Sequence, residues 1–387
     1  MKEISTHLHS HMEQLCKRIG SRHCGSPELD RAGSYIEQCM KDCGLAISRE
    51  AFPVPGWSFE SFELTDITSN TTVPAVSACY YSNAVDITDV PVWLETKDLD
   101  HLEELPLQGK LCFVSIWDQK PLTRFYNQLA EKLDGLGVAA AIFLSVGQTD
   151  LSPNTKMERS PFLRQMAAVS AAQEGAVFMA GHREDTYHLA IRAKCFETTT
   201  FNVIGRLGTG PNRAVIGAHY DAAPLIEGAA DNAGGVAVLL ELARLIQPNP
   251  DWCIDFVAFS AEEIVPRKLP MGSENYVLNH REENLRWFLN IDGPASYFDV
   301  PLIYLSLQEK LPPIAYPHET TQSTYVGDDK SFAEIGVPSV WIFKKRAFGE
   351  RHTAQDQLSC IDFPRMEQIV GEYLNIYADL IKAKEDM

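Results

Sequence analysis

The sequence predicts an α/β fold: a mainly parallel mixed sheet flanked by helices, carrying a β-rich insertion. Three observations predict it. After Thr200, short apolar runs alternate with stretches of helical period. Between about residues 57 and 200, β-branched and aromatic runs alternate with turn residues. The first 56 residues read as two helices and the approach to a strand. Residues 1–56 and 201–387 are therefore expected to form one unit, and 57–200 an inserted one.

Ile4, Leu8, Met12, Leu15 and Ile19 recur at spacings of three and four, which predicts a helix capped by Ser5 or Thr6 and stopped by Gly20. Ser26 and Pro27 open a second helix that Gly44 closes, with proline at the favoured first position. His7, His9 and His11 alternate at spacing two, which a helix scatters around its circumference, so they read as a solvated surface rather than a metal site. Cys39 and Cys43 stand one helical turn apart and read as core-facing thiols.

Within the insertion, Phe62–Ile67, Val90–Leu94 and Leu111–Ile116 read as strands. An amphipathic helix over about 122–134 leads into a buried strand at Ala139–Leu144. Beyond Thr200, the runs Ala214–Ala218, Ile254–Phe259, Trp287–Ile291 and Val337–Phe343 read as strands buried on both faces. Gly234–Ile246 is a strongly periodic helix and Asp362–Lys384 a closing amphipathic one. Strand–helix–strand alternation implies right-handed crossovers between parallel strands.

Composition narrows the function. The 387 residues carry 34 Lys and Arg against 52 Asp and Glu, a net charge of −18. That balance argues against nucleic-acid and anionic-membrane partners, which require basic patches. Hydrophobic content of 45% with 22% charged residues excludes wholesale disorder. No apolar run reaches the length of about 18 residues that a membrane-spanning helix needs. The N-terminus carries His and Glu where a secretory signal would have its apolar core, and the nine cysteines include no CxxC pair. A cytoplasmic protein with free thiols is expected.

In a parallel sheet, ligands bind beyond the carboxyl ends of the strands. After Ala214–Ala218 come His219, Tyr220 and Asp221; after Ile254–Phe259 come Glu262 and Glu263; after Trp287–Ile291 comes Asp292. Asp231 opens the periodic helix, and His352 follows the last run by one short loop. Singly, such residues are caps, turns or solvated pairs. Together they are carboxylates converging on one crevice, which is unfavourable without compensating cations. Histidine nitrogen with carboxylate oxygen suits zinc, and this many donors suits two divalent ions about 3.5–4 Å apart. Water shared by two such ions has a lowered pKa, and a carboxylate that is not a ligand would serve as general base.

HYD, AADNAGG, VLLELARL, FSAEE, LNIDG and HTAQD, in this order over about 200–375, resemble the co-catalytic zinc exopeptidases, which include aminopeptidases S and Y, glutamate carboxypeptidase and glutaminyl cyclase. The N-terminal SRxxGSPE segment is similar to the start of that family. The resemblance implies that His219 and Asp292 hold one zinc, that Glu263 and His352 hold the other, and that Asp231 bridges. It implies Glu262 as general base and Asp221 as the carboxylate orienting His219. The segments Leu107–Val114 and Gly135–Ala140 make the insertion resemble a protease-associated domain.

Two features depart from the family pattern. Ile264–Met271 intervenes before Gly272 and Ser273, and Gly327–Phe332 lacks the expected histidine. The function implied is a zinc aminopeptidase acting on a peptide or aminoacyl substrate with a free N-terminus. A glutaminyl-cyclase-like acyltransferase and a carboxypeptidase are the alternatives. The latter would need a cation such as Arg267, Lys330, Arg346 or Arg351, all of which read as solvated surface. A non-catalytic receptor-like relative would have lost ligands, and none is lost here.

Overall fold

The computed structural model describes residues 2–115, 123–144, 165–264, 269–294, 301–315, 320–321, 327–344 and 351–382. Helix α1 (Lys2–Met12) continues as a π-helical stretch, Glu13–Ile19, and Gly20 ends it with φ of 89°. The helix begins upstream of Ser5 and Thr6, so neither stands at its start. Leu8, Met12, Leu15 and Ile19 form the buried stripe that their spacing predicts. Of the three histidines His9 is exposed, as expected, and His7 and His11 are half-buried, and all three make contacts that the sequence did not suggest. His7 Nδ1 lies 3.2 Å from Glu241, His9 stacks on the Phe363 ring and His11 bonds the Tyr35 hydroxyl at 2.6 Å. Each tethers α1 to a different helix. In α2 (Pro27–Asp42) the Ser26 hydroxyl accepts the Leu29 N–H at 3.2 Å, and the chain turns at Gly44 with φ of 80°. Cys39 and Cys43 are half-buried, and all nine cysteines are free thiols.

The chain then enters a long strand, β1 (Ala46–Asp66), followed by β2 (Thr71–Thr72), β3 (Val76–Ala78), β4 (Val85–Asp89) and β5 (Val92–Glu95). Next come β6 (Leu111–Ser115), α3 (Thr123–Gly135), β7 (Ala140–Leu144), β8 (Ala167–Ala171), α4 (Gln173–Gly181) and a second long strand, β9 (Tyr187–Leu207). Ile116 and residue 122, at the edges of two expected elements, lie outside the described residues. A five-stranded sheet runs in the order β3-β8-β7-β6-β5. Apolar clusters pack against it, including Phe113, Ile142 and Val169 in one and Leu133, Cys112 and Ala168 in another.

β1 and β9 pair antiparallel from Ala46 with Arg206 to Asp66 with Tyr187. This ribbon runs through positions 57 and 200, with one register shift between Phe59 and Ser61. Its far end packs on the small sheet through Leu64, Leu189 and Ile191, and its near end joins the large one. The sequence obscured it because Pro53 and Pro55 interrupt β1. Both are tolerated because β1 is paired there on one side only and both stand in phase with Trp57, whose N–H turns away from β9 to Cys24 O, so no ladder donor is lost.

The second half supplies β10 (Asn212–His219), α5 (Gly234–Leu245), β11 (Trp252–Phe259), α6 (Met271–His280) and β12 (Leu285–Asn290). It closes with β13 (Pro301–Ser306), β14 (Thr320–Thr321), α7 (Asp328–Glu334), β15 (Ser339–Lys344) and α8 (Phe363–Lys382). The large sheet is ordered β14-β13-β15-β12-β10-β11-β9-β1-β2, with β4 pairing on β9. Its centre, β15-β12-β10-β11, is parallel, whereas β13 joins antiparallel on one flank and β9 on the other. The sheet is thus mixed, with parallel pairing concentrated where helices cover both faces. Ala214, Ile216 and Ala218 of β10 face one core with α1, α2, α5 and α8, while Val215 faces another with α6 and α7. β11 and β12 lie on opposite sides of β10, so a crevice opens beyond the carboxyl ends of these three strands.

Candidate metal centre

His219 is the last residue of β10, and Asp221 follows two residues later. β11 stops at Phe259, and Ala261, at φ of 62°, turns the chain so that Glu262 and Glu263 stand at the strand end. Asp292 stands two residues beyond β12, and Asp231 lies in the kinked turn that opens α5. His352, at φ of 58°, arrives from the loop after β15. Every residue predicted as a ligand reaches this crevice.

His219 Nε2 lies 3.1 Å from Asp231 Oδ1 and 3.6 Å from Asp292 Oδ1. His352 Nε2 lies 3.2 Å from Asp231 Oδ2 and 3.4 Å from Glu263 Oε2. Two triads therefore form, His219–Asp231–Asp292 and Asp231–Glu263–His352, each with donor atoms within 4.8 Å of one another. Asp231 is common to both and presents one oxygen to each. Glu262 is buried and belongs to neither triad, so the adjacent acids separate into two positions.

The predicted role of Asp221 is broader than the sequence suggested. His219 Nδ1 donates to the backbone carbonyl of Asp221 at 3.2 Å, with the carboxylate 3.6 Å away. That carboxylate accepts the N–H groups of Glu262 at 3.1 Å and Glu263 at 3.0 Å. One residue thus orients the imidazole and pins the loop bearing both glutamates.

Three further residues position the centre without having been singled out in the sequence. Asp356, the last residue of HTAQD, accepts the N–H groups of Ala230 and Asp231 at 2.6 and 3.2 Å. Asn232 donates to Ile291 O and accepts from Gly235 and Gly293, tying the Asp231 turn to the Asp292 turn. A Cβ at Gly235 would overlap the Asn232 side chain and Ile291 O, which explains the second glycine of the pair that opens α5. Arg22, fully buried, donates to the carbonyls of Leu15, Gly20, Tyr220, Glu227 and Gly228. The AADNAGG, HTAQD and SRxxGSPE motifs were visible, but partners 59 to 206 residues away were not.

Two of the cationic candidates, Arg351 and Lys330, lie among the described residues and differ from the expected solvated surface. Arg351 lines the crevice with only 13% of its side chain exposed. Its Nε lies 3.9 Å from Asp231 Oδ2 and its Nη2 3.6 Å from Asp292 Oδ1. The residue adjoins His352, and both side chains approach Asp231. Lys330 is half-buried on α7 beside the buried pair Asp328 and Asp329. Arg267 and Arg346 lie outside the described residues, as do 265–268 of the Ile264–Met271 loop.

The electrostatics call for cations. Burial opposes protonation of His219, yet Asp221, Asp231 and Asp292 outweigh it and hold its pKa well above the ordinary value. Burial likewise disfavours ionised Asp231, but Arg351, His219 and His352 keep it well below the carboxylate range. Burial, reinforced by Asp231, pushes Asp356 up to about 7. His219 Nε2 and Asp292 Oδ1 are buried yet make no hydrogen bond among the described residues. Imidazole nitrogen and carboxylate oxygen facing each other across the crevice fit divalent zinc, which both donor types ligate.

A mixed α/β sheet thus carries two fused His–carboxylate triads beyond the carboxyl ends of its central strands. Residues 202–375 match the sequence model of Peptidase family M28, and the resemblance drawn from HYD, FSAEE and HTAQD is borne out. Aminopeptidase YwaD of Bacillus subtilis (strain 168) is 25% identical over 290 residues, covering 72% of this chain. The match spans 59% of that relative's length. A zinc aminopeptidase from Bacillus subtilis has the same fold, with a TM-score of 0.78 at 22% identity over 99% of this chain and 98% of its own. The Peptidase M28 precursor from Shewanella amazonensis SB2B also aligns with a TM-score of 0.78, at 20% identity over 100% of this chain and 96% of its own.

Proposed function

We propose that this chain is a zinc-dependent aminopeptidase that hydrolyses the N-terminal peptide bond of a peptide or aminoacyl substrate. The observation that carries the proposal is the pair of donor triads fused at Asp231. The names of the similar proteins, an aminopeptidase and a zinc aminopeptidase, support it.

In this reading His219, Asp231 and Asp292 hold one zinc, and Asp231, Glu263 and His352 hold a second. Bound zinc would polarise the scissile carbonyl and acidify the attacking water. Glu262 takes the proton from that water and returns it to the leaving amine. Its position suits proton transfer, because Asp221 fixes its backbone and its carboxylate belongs to neither donor triad. The surplus of acids around the crevice attracts the α-ammonium of a free N-terminus. We assign 57–200 as an inserted protease-associated-like unit, supported by its own sheet and apolar clusters.

Metal analysis paired with an aminoacyl-amide screen tests the proposal. Two zinc ions per chain and release of N-terminal residues are expected. A zinc-loaded protein that cleaves no member of the panel overturns the reading. Glu262→Gln should retain the metal and lower kcat by about a hundredfold or more. Loss of metal with Glu262→Gln, but not with Glu263→Gln, would reverse the roles of the pair.

A further inference from the structure

Arg351 is a largely buried cation whose guanidinium points at the two carboxylates central to the metal centre. Its Nε–Nη2 edge faces Asp231 Oδ2 and Asp292 Oδ1 at 3.9 and 3.6 Å. These are the same oxygens that His352 and His219 approach. Nε makes no hydrogen bond among the described residues. Space for the group is built into the fold: Nη2 occupies the position that a Cβ on Gly293 would fill, and Gly293 holds a left-handed φ of 59°.

This arrangement changes character when divalent ions are held. Asp231, Asp292 and Glu263 are then committed to cations, and the carboxylate left near the guanidinium, Asp356, already accepts two backbone N–H groups, so the charge of Arg351 is under-compensated, which is costly. The open side of the centre, where substrate enters, is where a further anionic partner can come from. An Nε–Nη2 edge presents two parallel donors, which match the two oxygens of a carboxylate better than any single oxygen.

We propose that Arg351 reads a carboxylate on the substrate, so that this enzyme favours short acidic peptides over neutral ones. The inference rests on the peptidase reading above and adds a specificity residue to it. The carboxylate has two sources, the C-terminus of a dipeptide or an acidic N-terminal side chain. Acids elsewhere in the crevice would repel either, which makes a dedicated guanidinium necessary.

Equilibrium binding tests this independently of turnover. Zinc-loaded Glu262→Gln protein is titrated calorimetrically with Leu-Leu, Glu-Leu-amide and Leu-Leu-amide. Tighter binding of Leu-Leu or Glu-Leu-amide than of Leu-Leu-amide, by about ten- to a hundredfold, is expected. Whichever carries the preference identifies the source. Adding Arg351→Met should reduce that ratio to about one, Arg351→Lys should keep part of it, and bound zinc should match the parent in both. No preference in the parent, a preference that survives Arg351→Met, or loss of zinc from Arg351→Met overturns the inference. Hydrolysis by the unsubstituted protein is scored separately. An active enzyme with no carboxylate preference rejects this inference alone, and a carboxylate-selective protein that cleaves no amide rejects the peptidase reading alone.

Discussion

Asp221 shows how much one carboxylate settles at this centre. Its backbone carbonyl fixes Nδ1–H on His219, which leaves the Nε2 lone pair for a metal in the neutral ring. Its two oxygens hold the backbone of both glutamates. Asp221→Asn keeps the carbonyl contact but replaces one acceptor with an amide donor facing an N–H group. Zinc affinity should fall by about 10–100-fold, read by competition with a chelating dye. An unchanged affinity would mean that the glutamate loop holds its shape without this carboxylate. His219, Glu262, Glu263 and Asp292 were legible in the sequence because each closely follows an apolar run, whereas Asp231 opens a helix and His352 follows a loop. Asp356 and Asn232 stood in recognised motifs, yet their partners, Ala230 and Ile291, belong to other segments. Only folding reveals such pairings.

At the scale of elements, the loop between β10 and α5 carries Asp231 and is clasped by Arg22 from the N-terminal helices. Five hydrogen bonds to backbone carbonyls from one guanidinium satisfy its charge without any carboxylate contact. Arg22→Lys offers three donors without the planar fork, so carbonyls are left unpaired in a dry interior. We expect a loss of about 2–4 kcal/mol, measured by urea unfolding, and weaker zinc binding because the clasped loop leads to Asp231. Stability within about 0.5 kcal/mol of the parent would show that the clasp is dispensable. The elements themselves were largely readable: Ser26–Pro27 opened α2 and the apolar runs became β10, β11, β12 and β15. The β1–β9 ribbon was not readable, since proline in β1 resembles a break until the strand is known to lie at an edge.

For the molecule as a whole, pH and metal act on different parts of the stability. Burial lowers the pKa of His11 and of His23 from 6.5 to about 4, so both are neutral in the fold. The unfolded chain takes up these protons below about pH 6.5, whereas the folded chain resists until about 4. Their contribution is therefore complete above pH 6.5 and is lost as pH falls toward 4, by at most about 1.4 kcal/mol per unit for each ring. Urea midpoints between pH 7.5 and 5 should fall more steeply for the parent than for a His11→Gln, His23→Gln double variant. Equal slopes would exclude these rings as the cause. Removing zinc with a chelator should lower Tm, because a ligand at a hundred times its Kd adds about 2.7 kcal/mol. An apo protein melting at the same temperature would mean that the triads bind no metal in the folded state.

The sequence by itself determined which candidate donors stand at the strand ends and in what order. Periodicity locates strand ends, and His, Asp and Glu at those ends carry their chemistry wherever the sheet places them. Tertiary structure decided that Asp231 presents one oxygen to each triad, that Glu262 stands apart from Glu263, and that Arg351 turns inward rather than toward solvent. It also decided that His7, His9 and His11 join three helices. The reason is physical: the kind of donor is a property of a residue, whereas sharing, burial and charge balance arise only between segments that folding brings together.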